Sequence, residues 1–72
     1  MKDIRLLDLP ERAGVKIFAN LSDGSSYLIF DHLDGMYSYC TTEKGGVIHL
    51  AGATPLKKVQ GGYEIKTINE VQ

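Results

Sequence analysis

The spacing of turn signals limits this chain more than any other feature. They fall at Gly14, Asp23-Gly24, Asp34-Gly35 and Gly45-Gly46, ten or eleven residues apart, with a further pair at Gly61-Gly62. Glycine and Asp-Gly pairs mark reversals because they adopt positive φ at low cost. A reversal at that interval leaves room for one short strand between turns, the rhythm of an all-β meander. The intervening runs VKIFANL, SYLIF, MYSYCTT and GVIHLA are rich in β-branched and aromatic residues that suit a pleated surface. No window keeps apolar residues at helical spacing over a long stretch. The nearest is DLPERAG, where Asp8 and Pro10 suit a single connecting turn.

These signals predict strands near 3–7, 15–21, 27–33, 36–42 and 47–51, with weaker ones near 56–60 and 63–68. GATPL reads as a loop, with Thr54 pushed toward extended geometry by Pro55. The expected fold is all-β: a small antiparallel barrel or rolled sheet of five to seven short strands with little or no helix. It is SH3-like in size and rhythm only, and that likeness brings no functional residues with it. One domain over 1–72 is expected, since this length holds no second core. A single core of this size supplies only about 3–5 kcal/mol net, so added burial against a partner would help it.

A hydrophobic content of 43% with 24% charged residues fits a globular chain rather than a disordered one. The N-terminal MKDIRLLDLPERAG mixes acids and bases and reads as neither a signal peptide nor a membrane span. Cys40 stands alone, which excludes an internal disulfide and a cysteine-based zinc site. A reducing cytoplasm is the expected setting. The net charge of −1 is unevenly spread: residues 17–56 hold Asp23, Asp31, Asp34 and Glu43 against Lys44 alone. An acidic centre argues against phosphate binding there, because nonspecific nucleic-acid affinity comes from Lys and Arg displacing counterions.

The segment IFDHLDGMYSYC gathers the chain's most chemical side chains into residues 29–40. With Asp34-Gly35 as a two-residue hairpin loop, Leu33 pairs with Met36, His32 with Tyr37, Phe30 with Tyr39 and Ile29 with Cys40. The next turn, TEKGG, suits a three-residue loop with Gly45 left-handed, pairing Thr41 with Val47 and Tyr39 with His49. Alternation then sorts the strands into two faces. One holds Tyr27, Ile29, Asp31, Leu33, Met36, Ser38, Cys40, Thr42, Ile48 and Leu50, and is expected to be core. The other holds Leu28, Phe30, His32, Tyr37, Tyr39, Thr41, Val47, His49 and Ala51, and is expected to stay partly open. One residue of slippage would exchange the two.

On this register the chemistry of the segment thins out. Asp31 and His32 point apart and Asp34 serves the turn, so no metal or cofactor site is expected. Cys40 lies opposite both histidines and reads as a small buried hydrophobe, so no catalytic residues are expected. His32 and His49 share the open face, on either side of the middle strand.

The function expected is therefore non-enzymatic: an adaptor, accessory or inhibitor-type module binding protein, or a second copy of itself, through Phe30, His32, Tyr37, Tyr39 and His49. Such a homo-oligomer needs no membrane. The alternative is a single-strand nucleic-acid platform, with Lys57, Lys58 and Lys66 as a basic edge. A second alternative is a small-ligand or enzyme site using Cys40 or the histidines.

Overall fold

The computed structural model describes residues 4–66. Seven strands follow one another: β1 (Ile4–Arg5), β2 (Val15–Phe18), β3 (Tyr27–Asp34), β4 (Tyr37–Thr42), β5 (Val47–Ile48), β6 (Pro55–Val59) and β7 (Gly62–Ile65). They form one rolled sheet in the order β1-β6-β7-β2-β3-β4-β5. The fold is all-β, as the turn spacing predicts, and each expected strand has a counterpart. The expected strand near 63–68 ends at Ile65, and its last two positions lie outside the described residues. The expected first strand stops at Arg5, where Leu6–Asp8 wind into a single 3-10 turn. Asp8 closes that turn by accepting a hydrogen bond from the Arg5 N–H at 3.0 Å.

Neighbouring strands run antiparallel except β2 and β7, which pair in parallel through Ile17–Tyr63 and Phe18–Glu64. Parallel contact is possible here only because position 62 lacks a side chain. A Cβ on Gly62 would collide with the carbonyl oxygen of Lys16. The two ends of the sheet meet through the segment after β5. Gly52 donates to the Met36 carbonyl at 2.8 Å, while its own carbonyl accepts from Leu7 N–H at 2.9 Å. Leu6 N–H likewise reaches Thr54 O at 2.9 Å. Residues 52–54 thus form the seam that rolls the sheet around its core.

That core holds Leu6, Leu9, Ile17, Leu28, Phe30, Cys40 and Leu56, all buried. Ile4, Val15, Leu21, Leu33, Ile48, Leu50, Tyr63 and Ile65 pack against it. Removal of these apolar surfaces from water is the main stabilising contribution, about 1.5–3 kcal/mol for each fully buried large side chain.

The β4–β5 register agrees with the sequence reading, with Thr41 opposite Val47 and Cys40 opposite Ile48. The β3–β4 register does not. Asp34 pairs with Tyr37, so the hairpin loop is Gly35-Met36 rather than Asp34-Gly35. Gly35 has φ +69° at the first loop position, and Met36 is not among the positive-φ residues. A turn with positive φ only at its first central residue places glycine there, as in type II′ hairpins.

Further along, the pairing slips between Phe30 and His32 at a β-bulge: His32 opposes Tyr39, but Phe30 opposes Cys40. A bulge sets two residues against one and reverses the alternation beyond it. Phe30, expected on the open face, is therefore fully buried beside Leu28 and Cys40. Tyr27 and Ile29 move to the outside in exchange.

Candidate interaction face

The bulge also sets the local geometry of the outer face. Asp31 and His32 do not point apart as in a regular strand; the carboxylate Oδ2 lies 2.6 Å from His32 Nδ1. Two backbone groups of β3 that lie beyond the end of β2 find partners in the preceding turn. Arg12 N–H donates to Asp31 O at 2.6 Å, and Leu33 N–H donates to the Glu11 carboxylate at 2.8 Å. The irregularity is therefore hydrogen-bonded on the side facing that turn.

Outside the bulge, three rings line up across three strands. His32 from β3 stacks on Tyr39 from β4, centroids 5.3 Å apart and planes 12° from parallel. His49, just past β5, meets the same tyrosine edge-on at 5.5 Å and 70°. Both imidazoles are held from behind. His49 Nδ1 sits 3.0 Å from Ser38 O. A carbonyl and a carboxylate only accept, so each histidine carries its proton on Nδ1 and leaves Nε2 as the remaining ring nitrogen. Tyr37 and Val47 are about half exposed at the margins of this row, and Tyr39 itself remains 37% exposed.

The outer face extends across β2 and β3, and includes Tyr27, which the expected register had placed in the core. Phe18 and Tyr27 meet edge-to-face at 6.5 Å. Lys16 Nζ lies 4.4 Å from the Tyr27 ring centroid and 5.9 Å from that of Phe18. Such placements are stabilised by the ring quadrupole. Alternation in β2 contained part of the signal, since a buried Ile17 requires Lys16 and Phe18 to face outward.

The expected face is thus partly assembled and partly corrected. His32, Tyr37, Tyr39 and His49 share the outside, and Phe30 leaves it for the core. The expected basic edge is not a single surface. Lys57 and Lys58 alternate along β6; Lys57 stands opposite Glu64, and Lys58 Nζ lies 5.0 Å over the Tyr63 ring. Lys66 follows β7, its N–H bonded to Pro55 O. Three strands separate β6 from β4 in the sheet order.

Cys40 is fully buried. Its Sγ lies 3.3 Å from Ser38 Oγ. Burial pushes its thiol pKa up, against a smaller lowering by Ser38. The sheet separates it from both histidines, so no thiol–imidazole pair forms.

Among the described residues, no group of three or more His, Cys, Asp and Glu side chains could hold a metal ion. A pocket of about 260 Å³ opens at the seam, lined by Leu7, Leu33, Gly35, Met36, Gly52 and Ala53. None of these side chains titrates, so the pocket offers apolar contact without acid–base chemistry. No helix among the described residues is long and apolar enough to cross a membrane. Comparison with protein-family models, with curated proteins and with solved structures finds no match for this chain.

Proposed function

We propose that this chain is a non-enzymatic interaction module that binds protein through its outer face, the simplest partner being a second copy. The observation that carries the reading is the ring row His32–Tyr39–His49, held rigid from behind and exposed in front. Rigid tyrosine and histidine rings lose little side-chain entropy on binding and combine apolar area with polar edges. Tyr37 and Val47 supply further apolar area at the margin. The small SH3-like dimensions suit an accessory or adaptor role, and a reducing cytoplasm suits the buried free thiol of Cys40.

Solution mass measured from about 1 µM to about 1 mM tests this reading against the Tyr37→Ala/Tyr39→Ala double variant. The expected result is association of the wild type and a folded, monomeric double variant. A double variant that associates as strongly as the wild type refutes the role of this face.

Lys16 beside Tyr27 and Phe18 favours a second reading, in which the same face stacks single-stranded nucleic acid. That reading requires binding to mixed oligonucleotides that weakens steeply with salt and with Lys16→Ala. Salt-insensitive or undetectable binding removes it.

A further inference from the structure

We infer that the second copy docks edge to edge along β5, in an antiparallel register centred on Ile48, so that two outer faces join into one. This rests on the reading of the outer face as an interaction surface and adds the partner and its register.

The inference begins with the hydrogen-bond alternation of β4 and β5. Thr42 N–H bonds to Gly46 O at 2.8 Å and Ser38 N–H to Leu50 O at 2.7 Å. In an antiparallel ladder, bonded pairs alternate with unbonded ones. Gly46, Ile48 and Leu50 therefore direct their backbone groups toward β4, while Val47 and His49 direct theirs toward the outer edge. Among the described residues, no backbone hydrogen bond covers those outward groups.

The rest of this edge is covered by the chain itself. The Ala51 carbonyl accepts from Thr54 N–H, Gly52 O from Leu7 N–H, and Thr54 O from Leu6 N–H. The opposite edge strand, β1, contains a charged residue, Arg5, whose N–H is taken by the Asp8 carboxylate. Edge strands are normally protected by charge, proline, a bulge or a covering segment. The stretch Gly46–Ala51 contains no proline and no Lys, Arg, Asp or Glu.

A second copy fits this opening because the two outward residues are two apart. Under two-fold rotation about Ile48, Val47 pairs with the partner's His49, and His49 pairs with the partner's Val47. Both pairs then exchange N–H···O=C bonds, and Ile48 meets the partner's Ile48 between them. Uncharged stretches face each other, so no like charges are opposed. The row His32–Tyr39–His49 continues through the partner's Val47 to the partner's Thr41, its neighbour across β4 and β5. The outer face is completed by the other copy.

The test compares wild type with Val47→Pro by analytical ultracentrifugation over about 1 µM to 1 mM. Proline at 47 removes an outward N–H while leaving the β4–β5 bonds in place. The expected outcome is a monomer–dimer equilibrium in the wild type, weakened at least about tenfold in the variant. A monomeric wild type at the highest concentration, or a variant that dimerises equally well, overturns the pairing. Tyr37→Ala/Tyr39→Ala separates the two ideas: if it alone is monomeric while Val47→Pro dimerises, the face binds and the edge does not. Should Val47→Pro fail to fold, amide exchange in the wild type decides. The Val47 and His49 amides must slow at least about tenfold on concentration, and concentration-independent exchange overturns the proposal.

Discussion

Asp31 and His32 are sequence neighbours in a β-strand, yet the Asp31 carboxylate lies 2.6 Å from His32 Nδ1 on the same side of the sheet. The slip in β3–β4 pairing between Phe30 and His32 makes this contact possible. It orients the imidazole against Tyr39 and places its proton on Nδ1. Asp31→Ala is expected to release the ring, shifting neutral His32 toward the Nε2–H tautomer as read by ring ¹⁵N chemical shifts. Stability should fall by less than about 1 kcal/mol, because the pair is partly solvent-screened, with the Asp31 side chain 46% exposed. An unchanged tautomer would show that Asp31 does not position His32.

The bulge assigns Phe30 and Tyr39 to opposite sides of the sheet, and their truncation should separate them sharply. Phe30→Ala removes a fully buried ring from the core and is expected to cost about 3–5 kcal/mol. Tyr39→Ala removes a partly exposed ring and two ring contacts, with a cost near 1 kcal/mol. Urea unfolding of the two variants checks the difference. Equal losses would contradict the assigned faces.

Gly62 is required for space rather than for backbone conformation, since its φ is not among the positive values. In Gly62→Ala the new methyl would meet the Lys16 carbonyl oxygen across the parallel β2–β7 pair. A loss of about 1–3 kcal/mol in chemical denaturation is expected, the range of overpacked sites. A stabilised variant, as glycine-to-alanine changes give where there is room, would mean that these strands do not approach so closely.

Acid should loosen the end of the sheet where residues 21–26 and 43–46 meet. Hydrogen bonds from Ser25, then Thr42, hold the Asp23 carboxyl below its ordinary 3.8. Ser26, through its backbone N–H and then its hydroxyl, holds Glu43 below 4.5. A carboxylate with a depressed folded-state pKa contributes stability above its unfolded value and loses it as pH falls through the folded value. The urea midpoint should therefore decline as pH drops below these ordinary values. Asp23→Asn with Glu43→Gln should flatten that decline, and an unchanged slope would exclude these two groups as its source.

Much of the architecture was legible in the residues. Glycines at 14, 24, 35, 45 and 61 all adopt positive φ, so the turn positions follow from local backbone chemistry. The β4–β5 register was equally readable, because Gly45 with φ +93° sets a short loop whose length determines what lies opposite what. The side of the sheet taken by Phe30 was not readable in the same way. It depends on the extra residue at the bulge between Phe30 and His32, since the shift of the loop to Gly35-Met36 moves the register by two and leaves the faces unchanged.

The sequence by itself determined the class of fold, a range of five to seven strands and the approximate places where the chain reverses, because these depend on residues acting over a few neighbours. Tertiary structure alone decided that Phe30 turns into the core while Tyr27 turns outward, and how the sheet closes. The bulge in β3 has no local signature. It reconciles a turn that fixes one end of the hairpin with a core that buries Leu28 and Phe30 at the other. A backbone donor beside it, Leu33 N–H, is satisfied by Glu11, twenty-two residues earlier. The parallel closure of β2 on β7 likewise needs Gly62 to lie against Lys16, a contact between residues far apart in the chain. Contacts of that range exist only once the sheet has rolled.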